Sequence, residues 1–214
     1  MTTMRAVFWD FGGVFTPSPF GALRVWATER GLDAELVKRT IFGPYEQDTD
    51  HPWHQLERGE TTLRDAMGRI AADAADRGIE VDPDNPLAVL AGGMAAEDRS
   101  AMVDSVWAVR EAGLHTGLIT NNVAEFGDGW RSLLPIDELF DTVIDSSSVG
   151  VRKPDPAIYR LAMARLEVEA VHTVFVDDLA SNLDAAAALG MTTVLVPEAN
   201  PMQAAEELLR LLGL

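Results

Sequence analysis

The sequence predicts an α/β fold: an open parallel sheet, interrupted after its first strand by an all-helical segment. Two observations carry this. Short continuous apolar runs, the kind that form strands covered on both faces, stand near the N-terminus and through the second half of the chain, where helical patterns separate them. The long stretch between, residues 17–95, holds helical patterns and no convincing strand.

The strands are "AVFW" (6–9), "TGLI" (116–119), "TVI" (142–144), "TVFV" (173–176) and "TTVLV" (192–196). Residues 98–112 carry Met102, Val106 and Val109 at helical spacing and stop at Gly113. Residues 155–166 open with Asp155 as cap and Pro156 in the first turn, then set Ile158, Leu161 and Ala162 on one face. Residues 179–189 are alanine-rich and stop at Gly190. This alternation predicts a Rossmann-like core from residues 1–16 and 96–214. Between its halves, "FGALRVWATERG", "AELVKRTIFG", "HPWHQLERG" and "TTLRDAMGRIAADAADRG" read as short helices. The segment opens at Pro17-Ser18-Pro19 and closes near Gly92-Gly93, so residues 17–95 are expected to form a helical cap domain on two hinges. Trp26, Trp53 and Trp107 are read as packing residues.

A chain of 214 residues is long enough for one core with a smaller inserted domain. Apolar residues make up 47% and charged residues 24%, ordinary for a soluble globular protein. Against 34 Asp and Glu stand 17 Lys and Arg, a net charge of −17. Such a chain repels nucleic acid and anionic membranes at long range, so neither is an expected partner. No cysteine is present, which removes disulfides, thiolate metal sites and cysteine nucleophiles, and fits the expected cytoplasmic location. The first residues, "MTTMRAVFWDFGG", have one positive charge and an apolar stretch broken by Asp10, unlike a signal peptide. The longest apolar run, residues 87–96, is too short to span a bilayer. A monomer or homodimer is expected.

Four polar groups fall at or beyond the carboxyl ends of the expected strands, where open α/β sheets bind ligands. Asp10 follows "AVFW"; Thr120-Asn121-Asn122 follows "TGLI"; Lys153 follows the third strand after a loop, "DSSSVGVRKP"; Asp177-Asp178 follows "TVFV". Two carboxylates about 4 Å apart repel by roughly 4 kcal/mol at an effective dielectric near 20. Convergence of Asp10, Asp177 and Asp178 therefore calls for a counter-charge. An oxygen-only donor set favours Mg²⁺. Together with Lys153 and a hydroxyl, such a site suits a phosphoryl group, with Asp10 as nucleophile.

These residues resemble the four motifs of the haloacid dehalogenase-like superfamily, mainly phosphatases. The first, an apolar strand followed by Asp-x-Asp-Gly-(Thr/Val), is Asp10-Phe11-Gly12-Gly13-Val14; the second is Thr120; the third is Lys153 in "VRKPDPAIY"; the fourth is Asp177-Asp178 in "FVDDLASNLDAAAALG". The motifs run in order along nearly the whole chain, and residues 17–95 match the family's common helical cap. The "DFGGV" and "DDxxxN" pattern is also similar to a subgroup containing the phosphatase-like domain of soluble epoxide hydrolases. The resemblance implies that Asp10 attacks phosphorus and gives one oxygen to Mg²⁺, and that the Gly12 carbonyl, Asp177 and Asp178 complete the protein's share of the metal site. It further implies that Thr120, Asn121 and Lys153 hold the phosphate, and that Asn182 orients the acidic loop.

Gly12 departs from the pattern. The family's second Asp protonates the leaving oxygen and later activates water, general acid–base work worth about 10²–10⁴-fold. Its loss disfavours alkyl esters and spares substrates with good leaving groups, such as acyl phosphates or anomeric sugar phosphates. Asp48, Asp50, His51 and His54, clustered in "QDTDHPWHQ", are candidate replacements from the cap. The expected function is Mg²⁺-dependent hydrolysis of a small phosphorylated metabolite through an aspartyl-phosphate. Two alternatives stand beside it: a metal-independent 2-haloacid dehalogenase, against which the Asp177-Asp178 pair argues, and a degenerate binding module.

Overall fold

The computed structural model describes residues 3–82 and 99–214. Five strands, β1 (Ala6–Trp9), β2 (His115–Thr120), β3 (Thr142–Asp145), β4 (Thr173–Asp177) and β5 (Thr192–Leu195), form one sheet in the order β3-β2-β1-β4-β5. Every neighbouring pair is parallel; Trp9 of β1 stands beside Leu118 of β2 and Val176 of β4. From β1 the chain builds outward to β2 and β3, then returns to the other side of β1 for β4 and β5. The β1/β4 boundary is therefore the topological switch point, and its carboxyl end is where such sheets bind ligands.

The helices are α1 (Pro19–Glu29), α2 (Ala34–Ile41), α3 (Pro52–Glu57), α4 (Leu63–Asp76), α5 (Ser100–Glu111), α6 (Ile136–Leu139), α7 (Ser146–Val149), α8 (Pro156–Arg165), α9 (Ala180–Ala188) and α10 (Pro201–Leu212). Alternate residues of each strand feed opposite faces of the sheet, and both faces are covered. Val7 and Trp9 pack with Met102, Val106 and Val109 of α5 and Leu208 of α10, while Ala6 and Phe8 pack with Ile158 and Tyr159 of α8 and Leu183 of α9. Burial on both sides is why the strands read as continuous apolar runs.

Helices α1–α4 have an apolar cluster of their own, built on Leu23, Trp26, Val37, Ile41, Phe42, Trp53, Met67 and Ile70. Side-chain caps fix the starts of α2 and α4: Asp33 accepts from the Glu35 and Leu36 N–H groups, and Thr62 from Asp65 N–H. The expected hinge at Gly92-Gly93, the boundary between residues 95 and 96, the apolar run 87–96 and the first residue of the helix expected from 98 lie outside the described residues.

The structure differs from the sequence reading in three places. Helices α6 and α10 were not anticipated. The segment before Lys153 is not all loop, because Asp145 accepts from Ser147 N–H at the end of β3 and starts the single-turn α7. Trp107 is 37% exposed on α5 rather than packed inside, whereas Trp26 and Trp53 are buried.

Candidate active site

Asp10 is the first residue past β1. Its N–H still donates to Val176 O at 2.9 Å, so the sheet fixes its backbone, while its side chain emerges at the switch point. Its Oδ1 accepts from Phe11 N–H at 2.7 Å and pairs with Lys153 Nζ at 2.7 Å. The same ammonium reaches Asp177 Oδ2 at 2.8 Å. Asp177 is otherwise fully engaged: Oδ1 accepts from Leu179 N–H at 2.8 Å, and Asn182 Nδ2 lies 3.1 and 3.0 Å from its two oxygens. Asn182 thus orients the acidic pair by gripping Asp177.

Asp178 joins the other two carboxylates from a partly buried position, and one oxygen from each lies within 4.8 Å of the others. Lys153 is the cation placed between Asp10 and Asp177. Burial, then the charge of Asp177, pushes the Asp10 carboxyl up to about 7 against the pull of Lys153. Burial, then Asp177 and Asp10, pushes Asp178 up to about 8. Lys153 is buried, yet the two carboxylates beside it raise its pKa. One positive charge does not balance three acids, and the surplus is negative, oxygen-only and concentrated. That is a donor set suited to a hard divalent cation.

The two glycines after Asp10 differ. Gly13 has φ +77°, and a Cβ there would overlap the Asp178 carboxylate, so only glycine lets the first and last motifs close on each other. Its carbonyl accepts from Arg99 Nη1 at 2.6 Å, which anchors the turn. At Gly12 a Cβ would meet nothing within 4 Å. The missing second acid has left open space.

Thr120 is buried at the end of β2, its hydroxyl 3.4 Å from the Asn121 carbonyl oxygen. The Asn121 side chain is spent on the Lys153 backbone, with Nδ2 donating to Lys153 O at 3.0 Å and Oδ1 accepting from Lys153 N–H at 2.8 Å. Asn122 ties β2 to α7 by donating to Ser146 Oγ at 2.9 Å and Asp145 Oδ2 at 2.8 Å.

A cavity of about 140 Å³ lies against Asp10, Gly12, Asn121, Lys153 and Asp178. Helices α1–α3 and the loops around them close its far side with Phe20, Phe42, Tyr45, Trp53 and Glu57. A wider depression at Trp26, Arg30 and Val81 holds none of the strand-end groups.

None of the four candidate replacements lines this cavity. Asp48 pairs with Arg58. Asp50 is exposed. His51 caps α3 through Trp53 N–H at 3.2 Å. His54 is fully buried, accepts from Thr49 N–H at 3.0 Å and is held down to about 3, by burial and then by Arg152, so it stays neutral.

The cap acid that does reach the cavity is one the sequence reading missed, Glu57. It accepts from Tyr45 Oη at 2.5 Å, Trp53 Nε1 at 2.8 Å and Arg152 Nε at 2.6 Å. Arg152 is as buried as its neighbour Lys153, yet pairs with the helical segment while Lys153 pairs with the sheet. Nothing in the order of residues marks Glu57 among the many acids or separates Arg152 from a solvated arginine.

A family model described as haloacid dehalogenase-like hydrolase matches residues 4–190. Acyl-CoA dehydrogenase family member 10 of Mus musculus is 33% identical over 98% of the chain, and bifunctional epoxide hydrolase 2 of the same organism 31% identical over 98%. The chain spans only 19% and 39% of their lengths. Further relatives bear the names of a phosphatase and of a haloacid dehalogenase. Among solved structures, an L-2-haloacid dehalogenase superposes with a TM-score of 0.69 over the whole of both chains at 20% identity.

Proposed function

The chain belongs to the haloacid dehalogenase-like hydrolases, and on that premise we propose that it is a Mg²⁺-dependent phosphohydrolase acting on a small phosphorylated metabolite through an aspartyl-phosphate on Asp10. The observation that carries this reading is the convergence of Asp10, Asp177 and Asp178 within 4.8 Å of one another, with a single ammonium between the first two. A haloacid carries its own negative charge and leaves behind a halide that needs no metal. A site holding two further carboxylates would repel it. A phosphoryl group brought in with a divalent cation matches the same charges.

Asp10, Asp178 and the Gly12 carbonyl are assigned to the ion. Asp177, saturated by Lys153, Asn182 and Leu179 N–H, stands behind them as the second acid of the metal site. When bound, the ion supplies positive charge to the phosphoryl oxygens. Asp10 Oδ attacks phosphorus as the bond to the leaving oxygen breaks, and the electron pair departs with that oxygen. Lys153 holds the Asp10 carboxylate ionised and in place. The Asn121 backbone N–H and the Thr120 hydroxyl are assigned to phosphate oxygens, and the Asn121 side chain positions Lys153. Water then attacks the phosphoryl-aspartate at phosphorus, which frees inorganic phosphate and restores Asp10. With glycine at 12 the leaving group receives no proton from that position, so it must be stable as an anion. Helices α1–α4 serve as the cap that closes the site.

The test is hydrolysis of acetyl phosphate and p-nitrophenyl phosphate with and without Mg²⁺. Turnover is expected with the ion and lost in Asp10→Ala. Turnover that persists in Asp10→Ala, or no Mg²⁺-dependent turnover at all, refutes the assignment; halide release from a 2-haloacid in EDTA would point to the dehalogenase branch.

A further inference from the structure

We propose that the leaving group is a single apolar ring or an acyl chain of that bulk, presented as an aroyl, aryl or apolar acyl phosphate; this rests on the phosphohydrolase reading. Three features of the cavity lead there.

Its far wall is aromatic and rigid. Phe20 lies 5.3 Å from Phe42 and 4.9 Å from Tyr45, and Phe42 lies 4.7 Å from Trp53, all edge to face. Val123, Phe126 and Leu179 complete the apolar lining. Such packing fixes a shaped, water-poor surface.

The donors in that wall are already spent. Tyr45 Oη and Trp53 Nε1 both serve Glu57. A sugar or polyol would leave its water at the entrance and find these groups occupied, at about 1–3 kcal/mol per unmatched hydroxyl. An apolar group loses nothing there and is removed from water.

Size and chemistry then agree. The cavity, about 140 Å³ including the end lined by Asp10, Lys153 and Asp178, leaves room for only a small group beyond the phosphoryl. Gly12 offers no proton, so the departing oxygen must carry its electron pair away as a carboxylate or phenolate. Aroyl and aryl phosphates meet both demands: Asp10 forms the new bond to phosphorus, the organic anion departs, and water releases phosphate.

Benzoyl and acetyl phosphate release carboxylates of similar basicity and differ in apolar bulk, so their ratio isolates the wall. With Mg²⁺, kcat/KM for benzoyl phosphate is expected to exceed that for acetyl phosphate by roughly tenfold or more. The half-buried wall residues Phe20 and Phe126 supply the variants. Phe20→Ser and, independently, Phe126→Ser should shrink the ratio several-fold by lowering kcat/KM for benzoyl phosphate more than for acetyl phosphate.

In parallel, calorimetry with phenylphosphonate and methylphosphonate reads binding without chemistry; the phenyl compound should bind about tenfold tighter. Equal rates and equal affinities overturn the proposal and leave the phosphohydrolase reading standing. No turnover of either acyl phosphate overturns that reading, and the two phosphonates then decide the apolar wall by themselves.

Discussion

Replacing Gly12 by Asp restores the acid that the site lacks, and the structure says what it should do. The position has ordinary backbone geometry, and a Cβ there meets nothing within 4 Å, so the side chain enters open space beside Asp10 without displacing a neighbour. Its charge matters more than its bulk. A carboxylate about 7 Å from Asp10 feels a repulsion of roughly 2.4 kcal/mol at an effective dielectric near 20. That repulsion, together with Asp178 and burial, raises its pKa toward neutrality. An acid poised there still holds a proton near neutral pH and can give it to a departing alkoxide. General acid catalysis of this kind is worth about 10²–10⁴-fold. The assay compares kcat/KM for butyl phosphate, whose alkoxide needs a proton, with that for p-nitrophenyl phosphate, whose phenolate does not. Butyl phosphate turnover should rise about a hundredfold or more in Gly12→Asp, with p-nitrophenyl phosphate changed only a few-fold. If the two substrates move together, or neither moves in a variant of unchanged thermal stability and Mg²⁺ dependence, the missing acid is not what limits the enzyme.

Asp177 and Asp178 should separate under the same substitution. Asp178→Asn relieves a carboxylate whose pKa is pushed up to about 8, so in metal-free buffer at pH 9 it should raise Tm while abolishing Mg²⁺-dependent turnover. Asp177→Asn removes the charge that Lys153, Asn182 and Leu179 N–H all address, and should destabilise by about 3–5 kcal/mol in urea unfolding. Arg152→Met leaves the buried Glu57 without its cation, and a loss of similar size is expected; calorimetry showing an unchanged Tm would remove the ion pair from the account. His54 sets an acid limit on stability. Its folded pKa of about 3 lies below the ordinary value of 6.5, so as pH falls below about 6.5 the unfolded chain gains a proton that the folded chain refuses. Stability should fall by up to about 1.4 kcal/mol per pH unit between about 6.5 and 3, and His54→Gln should flatten that slope.

The sheet was legible because burial on both faces leaves no choice of residue: Val7, Trp9, Ala6 and Phe8 are all apolar, whichever way each points. The strand-end acids were legible for the complementary reason, that a carboxylate closing an apolar run stands out. Asn182 followed from Asp178 by helical spacing, although its amide grips Asp177. What stayed hidden was the side of the cavity supplied by α1–α3. There the sequence shows many acids and aromatics, and only the packing of α3 against its neighbours turns Glu57 inward and leaves Asp50 exposed. The histidines of "QDTDHPWHQ" attracted attention as titratable groups, yet burial beside Arg152 keeps His54 neutral. Asn121 was placed correctly at a strand end, but its amide faces the Lys153 backbone, a pairing across 32 residues that no local pattern encodes.

The contact between Gly13 and Asp178 has a consequence for how such a sequence can diverge. The two positions are far apart in the chain, yet each occupies the volume that a larger partner would need. A side chain cannot appear at 13 while the carboxylate at 178 stays where it is, and even without that acid it must bear the strain of φ +77°. Substitutions at 13 should therefore be tolerated only on backgrounds already altered at 178, an order of events that a library randomised at both positions would expose.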